Sequence, residues 1–279
     1  MSTWVLLRGL TREQGHWGRF PAELAAALAD TLPGARIVCV DLPGAGVLHQ
    51  QPCPWQVAAM VGACQRQLTE QGAAPPYHLL GLSLGGMVAA AWSRACPQEV
   101  ASLVLVNTSL RPYSSPQRRL RLALWPQLLG LLASQDRPEI ERAVLQLTSR
   151  QPERHHPVLS DWLAIHQARP VRAANALRQL LAAARYRWVG PPPAMPVLVV
   201  CSASDGLVDP ACSQRIAQAW QAELASHPTA GHDLALDDGP WLAARVAAWL
   251  AERPAERPAQ RTLDCPAEPL AGQAKNPSA

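Results

Sequence analysis

Apolar residues along this chain follow two alternating rhythms, short unbroken runs and longer stretches in which they recur every third or fourth position. The runs Thr3–Leu7, Arg36–Leu42, Tyr77–Leu82, Ala101–Asn107 and Pro196–Ser202 predict buried strands, and Leu224–His227 predicts a weaker, shorter sixth. Helical spacing separates them. It is carried by Phe20, Leu24, Ala27, Leu28 and Leu32, by Val57, Met60, Val61 and Cys64 within Trp55–Leu68, and by the alanine-rich stretch Leu84–Cys96. Two later helices are expected from about Pro210 to Ala225 and over Trp241–Leu250, while Pro33-Gly34 and Pro97 stop two of the earlier ones. Continuous apolar strands alternating with helices predict an α/β fold with a mostly parallel, doubly wound sheet covered on both faces.

The alternation breaks between Leu110 and Pro193, a stretch rich in Arg and Leu with helical character and no strand-like run. It is expected to be an insertion between two strands, a helical cap over the strand C-termini, where ligands bind in open α/β sheets. The expected organisation is a core formed by residues 1–109 and 194–252, a cap over 110–193, and a Pro-rich tail over 253–279 with too little apolar content to fold. There is no internal repeat.

Composition narrows the class. A chain of 279 residues that is 48% hydrophobic and 16% charged can bury a substantial core. No apolar run has the length of a membrane span, and MSTWVLLRGL lacks a basic leader, so no secretory signal is expected. Seven cysteines (Cys39, Cys53, Cys64, Cys96, Cys201, Cys212 and Cys265) show no CxxC pair. They read as reduced, mostly buried thiols and a cytoplasmic address, with little support for metal binding. The net charge of +4 does not by itself suggest nucleic acid, but it is unevenly placed: Leu110–Met195 holds thirteen arginines against five acidic residues, so the remainder is net acidic. Lys275 is the only lysine, an Arg bias expected of a GC-rich bacterial genome.

Candidate chemistry begins at Tyr77–Trp92, YHLLGLSLGGMVAAAW. A strand, Gly81-Leu82-Ser83-Leu84-Gly85, then a helix is the context of a nucleophile elbow, in which small neighbours let strand and helix approach closely around a strained serine. The alternative reading is a glycine-rich turn whose serine caps the helix. As a nucleophile Ser83 would need a base, an orienting acid and an oxyanion hole. His232, in the loop Ala230-Gly231-His232-Asp233 after the last short strand, is the leading base. Asp205 directly follows the fifth strand and is preferred as the acid over Asp209, which precedes Pro210 and reads as a helix cap. Asn107, at the end of the preceding strand, cannot serve as the acid. Oxyanion donors are expected from the N–H groups of Leu84 and Leu10, whose backbone role is indifferent to side chain.

Taken together, Arg8-Gly9 with Trp17, Asp41-Leu42-Pro43-Gly44-Ala45-Gly46, Gly81–Gly86, Asp205-Gly206-Leu207-Val208 and Gly231-His232 resemble the α/β-hydrolase superfamily with a helical cap, over roughly residues 4–250. Two positions depart from that family. Arg8 stands where histidine is usual, so different hydrogen bonding is expected in that loop, and Ala45 stands where the turn usually has His or Arg. The resemblance implies a shortened sheet of six strands in order 2-1-3-4-5-6, the chain order Ser83, Asp205, His232 for the triad, and no metal or cofactor. A serine at the elbow disfavours dehalogenase and epoxide hydrolase activity, which use aspartate there.

Acyl transfer follows, with hydrolysis of a carboxylic ester as the leading expectation. A thioesterase, amidase or acyltransferase would use the same residues, and the basic cap could attract an anionic substrate or acidic carrier, although solvated helix faces explain those arginines as well. A non-catalytic binding protein on this fold is the alternative of a different class. A small-molecule ester or acyl substrate is expected, with no nucleic-acid partner, since the aromatic residues among the cap arginines read as core.

Overall fold

Strands free of polar alternation must be covered on both faces, and the sheet is built that way. The computed structural model describes residues 2–134 and 136–253. Its strands are β1 (Thr3–Leu7), β2 (Arg36–Val40), β3 (Tyr77–Leu82), β4 (Val100–Val106), β5 (Val197–Ser202) and β6 (Glu223–His227). All pair in parallel, in the order β2-β1-β3-β4-β5-β6. The first three helices, α1 (Phe20–Ala27), α2 (Val61–Glu70) and α3 (Leu84–Ala95), follow β1, β2 and β3 in turn. Six more lie between β4 and β5: α4 (Pro116–Arg119), α5 (Trp125–Ala133), α6 (Arg137–Thr148), α7 (Pro152–His155), α8 (Val158–Ala168) and α9 (Ala173–Arg185). Helices α10 (Ala211–Trp220) and α11 (Leu234–Ala251) complete the chain as described.

Strand periodicity divides the core into two layers. In β1, Trp4 and Leu6 join Phe20 and Leu24 of α1 and Val246 of α11 on one face, while Val5 and Leu7 join Cys64 of α2, Val88 of α3 and Ile216 of α10 on the other. Each fully buried Leu- or Val-sized side chain contributes about 1.5–3 kcal/mol of transfer free energy. The weak signal of the sixth strand has a physical cause. β6 is an edge strand in which only Ala225 and His227 are buried, so the apolar run that marks central strands is missing.

Two expectations need correction. The last helix begins at Leu234 instead of Trp241, because two helical segments join across a kink at Asp238, followed by Pro240. The Asp238 carboxylate accepts the Trp241 N–H at 3.1 Å, so the expected start is that of the second segment. Among the cysteines, Cys39, Cys53, Cys64, Cys201 and Cys212 are free thiols, but Cys96 is disulfide-bonded, against the expectation of uniformly reduced thiols. The expected tail lies outside the described residues from position 254 onward. No helix among the described residues is long and apolar enough to cross a membrane.

Helix α3 approaches the sheet backbone closely. A Cβ on Gly85 would lie 2.1 Å from the Leu7 carbonyl oxygen, and one on Gly81 would lie 2.4 Å from the Gly85 oxygen. We expect Gly85→Ala to cost about 3 kcal/mol or to prevent folding, since backbone atoms must move to admit it. Gly130→Ala, in α5 with nothing within 4 Å of the added carbon, should instead stabilise by about 0.5–1 kcal/mol. Urea unfolding of the two variants checks the contrast, and an unperturbed Gly85→Ala protein would contradict this packing.

Candidate active site

Ser83 sits between β3 and α3 with φ 57° and ψ −117°, a conformation that costs a non-glycine residue roughly 1–3 kcal/mol. Four hydrogen bonds hold it there. Its N–H donates to the Val106 carbonyl at 2.9 Å, and its own carbonyl accepts from Thr108 Oγ1 at 2.7 Å, Gly86 N at 3.0 Å and Met87 N at 3.3 Å. Ser83 remains half-buried, its hydroxyl has no hydrogen-bond partner among the described residues, and it lines a cavity of about 220 Å³.

The same cavity is lined by His232, which is 4% exposed. His232 Nδ1 lies 2.7 Å from Asp205 Oδ2, leaving Nε2 as the imidazole atom free for proton exchange. Asp205 is 2% exposed, and its other oxygen accepts the Leu207 and Val208 N–H groups at 2.8 and 3.0 Å, which fixes the carboxylate plane. Asp209 instead accepts the Ala211 N–H at 2.9 Å where α10 begins, and pairs with Arg118 at 3.0 Å. The structure thus brings Ser83, His232 and Leu10 together on one cavity wall, with Asp205 behind the histidine and Leu84 buried at the first position of α3. The Leu84 N–H lies among the helix-start donors with no intrahelical acceptor, and the Leu10 N–H donates to no backbone carbonyl among the described residues. Gly9 makes room for this arrangement, because a Cβ there would stand 3.2 Å from the Ser83 Cβ.

Three buried residues that sequence reasoning did not place hold the histidine loop. Asn107, at φ 46°, donates from Nδ2 to the His232 carbonyl at 2.8 Å and to Ser202 Oγ at 3.0 Å, while its Oδ1 accepts the Ser202 N–H. Asp237 accepts the Gly231 N–H at 2.7 Å together with Ser149 Oγ and the Arg150 N–H of the helical insertion. Asp233 forms a two-pronged pair with Arg8, at 3.0 and 2.5 Å, and its N–H donates to the Thr148 carbonyl at 2.8 Å. Burial alone would raise the Asp233 carboxyl, but the charge and hydrogen bonds of Arg8, with Arg12 and His232 beyond, hold it below the usual carboxylate value. The unusual Arg8 therefore bridges the loop after β1 and the histidine loop, and its guanidinium also stacks over Trp17 at 4.8 Å. An Asn where a carboxylate is excluded and an Arg where His is usual were the available signals, but neither named a partner.

Four arginines of the insertion bond back onto the fold, Arg119 buried and Arg121 and Arg150 exposed. Arg121 donates to the Asp205 carbonyl and Arg150 to the Ser204 carbonyl, while Arg119 donates to the carbonyls of Ala183 and Ala184. Arg169 forms a two-pronged pair with Glu13 at 2.5 and 2.6 Å. Among the described residues no group of three or more His, Cys, Asp or Glu side chains is arranged to hold a metal ion.

A family model described as alpha/beta hydrolase fold matches residues 5–239. No curated protein sequence matches the chain. Solved structures similar to it include an esterase from Rhodococcus sp. at 21% identity, covering 90% of both chains with a TM-score of 0.69. A thermophilic esterase from Thermogutta terrifontis is also 21% identical over 90% of both chains, with a TM-score of 0.68. An enol-lactonase from Burkholderia xenovorans LB400 is 19% identical, covering 89% of this chain and 91% of its own, with a TM-score of 0.70.

Because Asp233 is held below its usual pKa, its pairing with Arg8 contributes stability above the ordinary carboxylate pKa, and that stability is lost as the pH falls through the lower folded value. Arg8→Gln should cost about 3–5 kcal/mol at pH 7 by leaving a buried carboxylate unpaired. The gap between wild type and variant should narrow steadily below about pH 4. Urea unfolding from pH 7 to pH 3 reads this directly; a gap independent of pH would mean that the pair is not ionic.

Proposed function

We propose that this chain, which belongs to the α/β-hydrolase fold family, hydrolyses a carboxylic ester through an acyl-enzyme on Ser83. One observation carries the reading. A strained, unpartnered serine shares a cavity wall with a histidine whose far nitrogen is fixed by a buried carboxylate.

In the first half-reaction Ser83 Oγ attacks the ester carbonyl while His232 Nε2 takes its proton. The carbonyl π electrons move to oxygen, where the Leu10 and Leu84 N–H groups meet the new negative charge. The tetrahedral species collapses, the C–O bond to the alcohol breaks, and the leaving alkoxide takes the proton from His232. Water then attacks the acyl-enzyme with His232 as base, and Ser83 leaves with the returned proton. Asp205 keeps the Nδ1–H tautomer and stabilises the imidazolium in both halves. The insertion acts as a cap over this chemistry, since α5, α6 and α9 each contribute to the cavity wall.

The cavity, at about 220 Å³, is smaller than the roughly 300–1,000 Å³ usual for drug-sized ligands, which favours a short acyl group. The similar esterases and enol-lactonase support oxygen-ester chemistry. Thioester hydrolysis or acyl transfer would use the same residues. Of the insertion's thirteen arginines, Arg118 and Arg169 are paired with carboxylates and Arg119, Arg121 and Arg150 donate to carbonyls within the fold, which leaves fewer free to meet an acidic carrier protein.

The test is hydrolysis of p-nitrophenyl esters from acetate to laurate, paired with labelling by a fluorophosphonate. Wild type should prefer the short esters and be labelled, and Ser83→Ala should lose about 10³-fold or more in rate and all labelling. A wild type that cleaves none of the esters and resists the label would instead be a binding protein on this fold.

A further inference from the structure

Most of the cavity wall around Ser83 is apolar, formed by side chains such as Leu128, Leu131, Ile140, Val144 and Leu180. Apart from Ser83, His232 and the Arg8–Asp233 pair, four ionisable side chains interrupt it from three directions: Arg12 from the loop after β1, Arg137 and Glu141 from α6, and His166 from α8. Arg12 is 8% exposed. Its Nη1 donates to Glu141 at 2.6 Å and lies 2.9 Å from His16 Nε2, and its guanidinium lies over Trp162 at 4.2 Å, but its Nη2 has no hydrogen-bond partner. The Arg137 side chain makes no ion pair and no hydrogen bond among the described residues. The Arg12 guanidinium is buried with an idle donor, which is costly, and Arg137 is half-buried with its charge unbalanced by a protein partner; a ligand anion would satisfy both.

Charge balance gives the same direction. Two guanidiniums face one carboxylate, and Glu141 is already shared with Arg12. Burial, with Arg137 and Arg12 nearby, lowers the His166 pKa, and burial with Arg12 and Arg8 lowers that of His16, which favours the neutral form of both imidazoles. The remaining charged groups on the wall, Arg8 and Asp233, neutralise each other. The cluster therefore has an excess of one positive charge directed at a small, mostly apolar space.

We propose that Arg12 and Arg137 form a subsite for a carboxylate carried on the acyl part of the substrate, which selects short acyl chains ending in an anion over neutral chains of the same length. The proposal rests on the reading of the Ser83 cavity as the reaction site, and deepens it by naming the substrate class. Glu141 and Trp162 hold Arg12 in place. Arg137 at the start of α6 supplies the charge that Glu141 does not already balance.

Binding can be measured apart from turnover. Ser83→Ala protein is titrated calorimetrically with the monomethyl esters of succinate, glutarate and adipate and with the corresponding neutral dimethyl esters. At least one monoanion should bind about tenfold or more tightly than its dimethyl partner. Adding Arg137→Gln should bring that ratio toward one, and adding Glu141→Gln should raise it by removing the competing carboxylate. The ratio is taken within each variant, so a general loss of affinity cancels. Equal binding of mono- and dimethyl esters in Ser83→Ala, or a ratio unchanged by Arg137→Gln, would overturn the subsite. Fluorophosphonate labelling of wild type separates the two readings. Labelling without anion preference leaves the hydrolase standing and removes the subsite, whereas anion preference without labelling does the reverse.

Discussion

The whole site depends on an absence of side chain where α3 meets the sheet. With no Cβ on Gly85, the helix can press against the Leu7 carbonyl, and only at that separation can the chain turn from β3 into α3 in a single residue. Ser83 is that residue, and its positive φ is the local cost of the turn. Burial of α3 against both β1 and β3 over twelve residues offsets it. The geometry then follows: a hydroxyl standing clear of the backbone, a helix start with free N–H groups beside it, and a Gly9 loop close enough to supply another donor.

Around this fixed point the chain uses charge sparingly and mostly for joining loops. Arg8 and Asp233 tie the first loop to the last, and Arg169 and Glu13 tie it to the insertion. A pair as buried as Arg8 and Asp233 adds little net stability over an apolar filling, because desolvation consumes most of the attraction. Their contribution is positional, since each fixes two loops that carry site residues and that the core alone would leave free. The Arg137 guanidinium, without a side-chain partner among the described residues, differs from these pairs and lies on the cavity wall.

Much of this was legible in the sequence wherever the determinant is local. The strands and the turn at Ser83 are legible from apolar runs and glycine spacing, their order in the sheet only through the family resemblance, and Asp205 from its position directly after β5. What was not legible is pairing between loops far apart in the chain. Arg8 is visibly unusual, but its partner lies 225 positions away. Asn107 was dismissed as an acid, whereas its use is to hold a carbonyl 125 positions on, a contact that no local pattern encodes. The last helix was misread at its start for the opposite reason: a local breaker, Pro240, is tolerated because Asp238 re-caps the chain at the kink.

Finally, the helical insertion and the histidine loop are joined by one backbone hydrogen bond and by a shared carboxylate. Thr148 accepts from Asp233, and Asp237 accepts from Gly231 and Arg150 at once. A segment attached in this way is not an interchangeable lid. Grafting a relative's insertion onto this core would remove two anchors of the histidine along with the pocket wall, so an altered substrate range and an impaired base would arrive together. Redesign of this protein is better begun from single side chains of α5 and α6 than from wholesale exchange of the insertion.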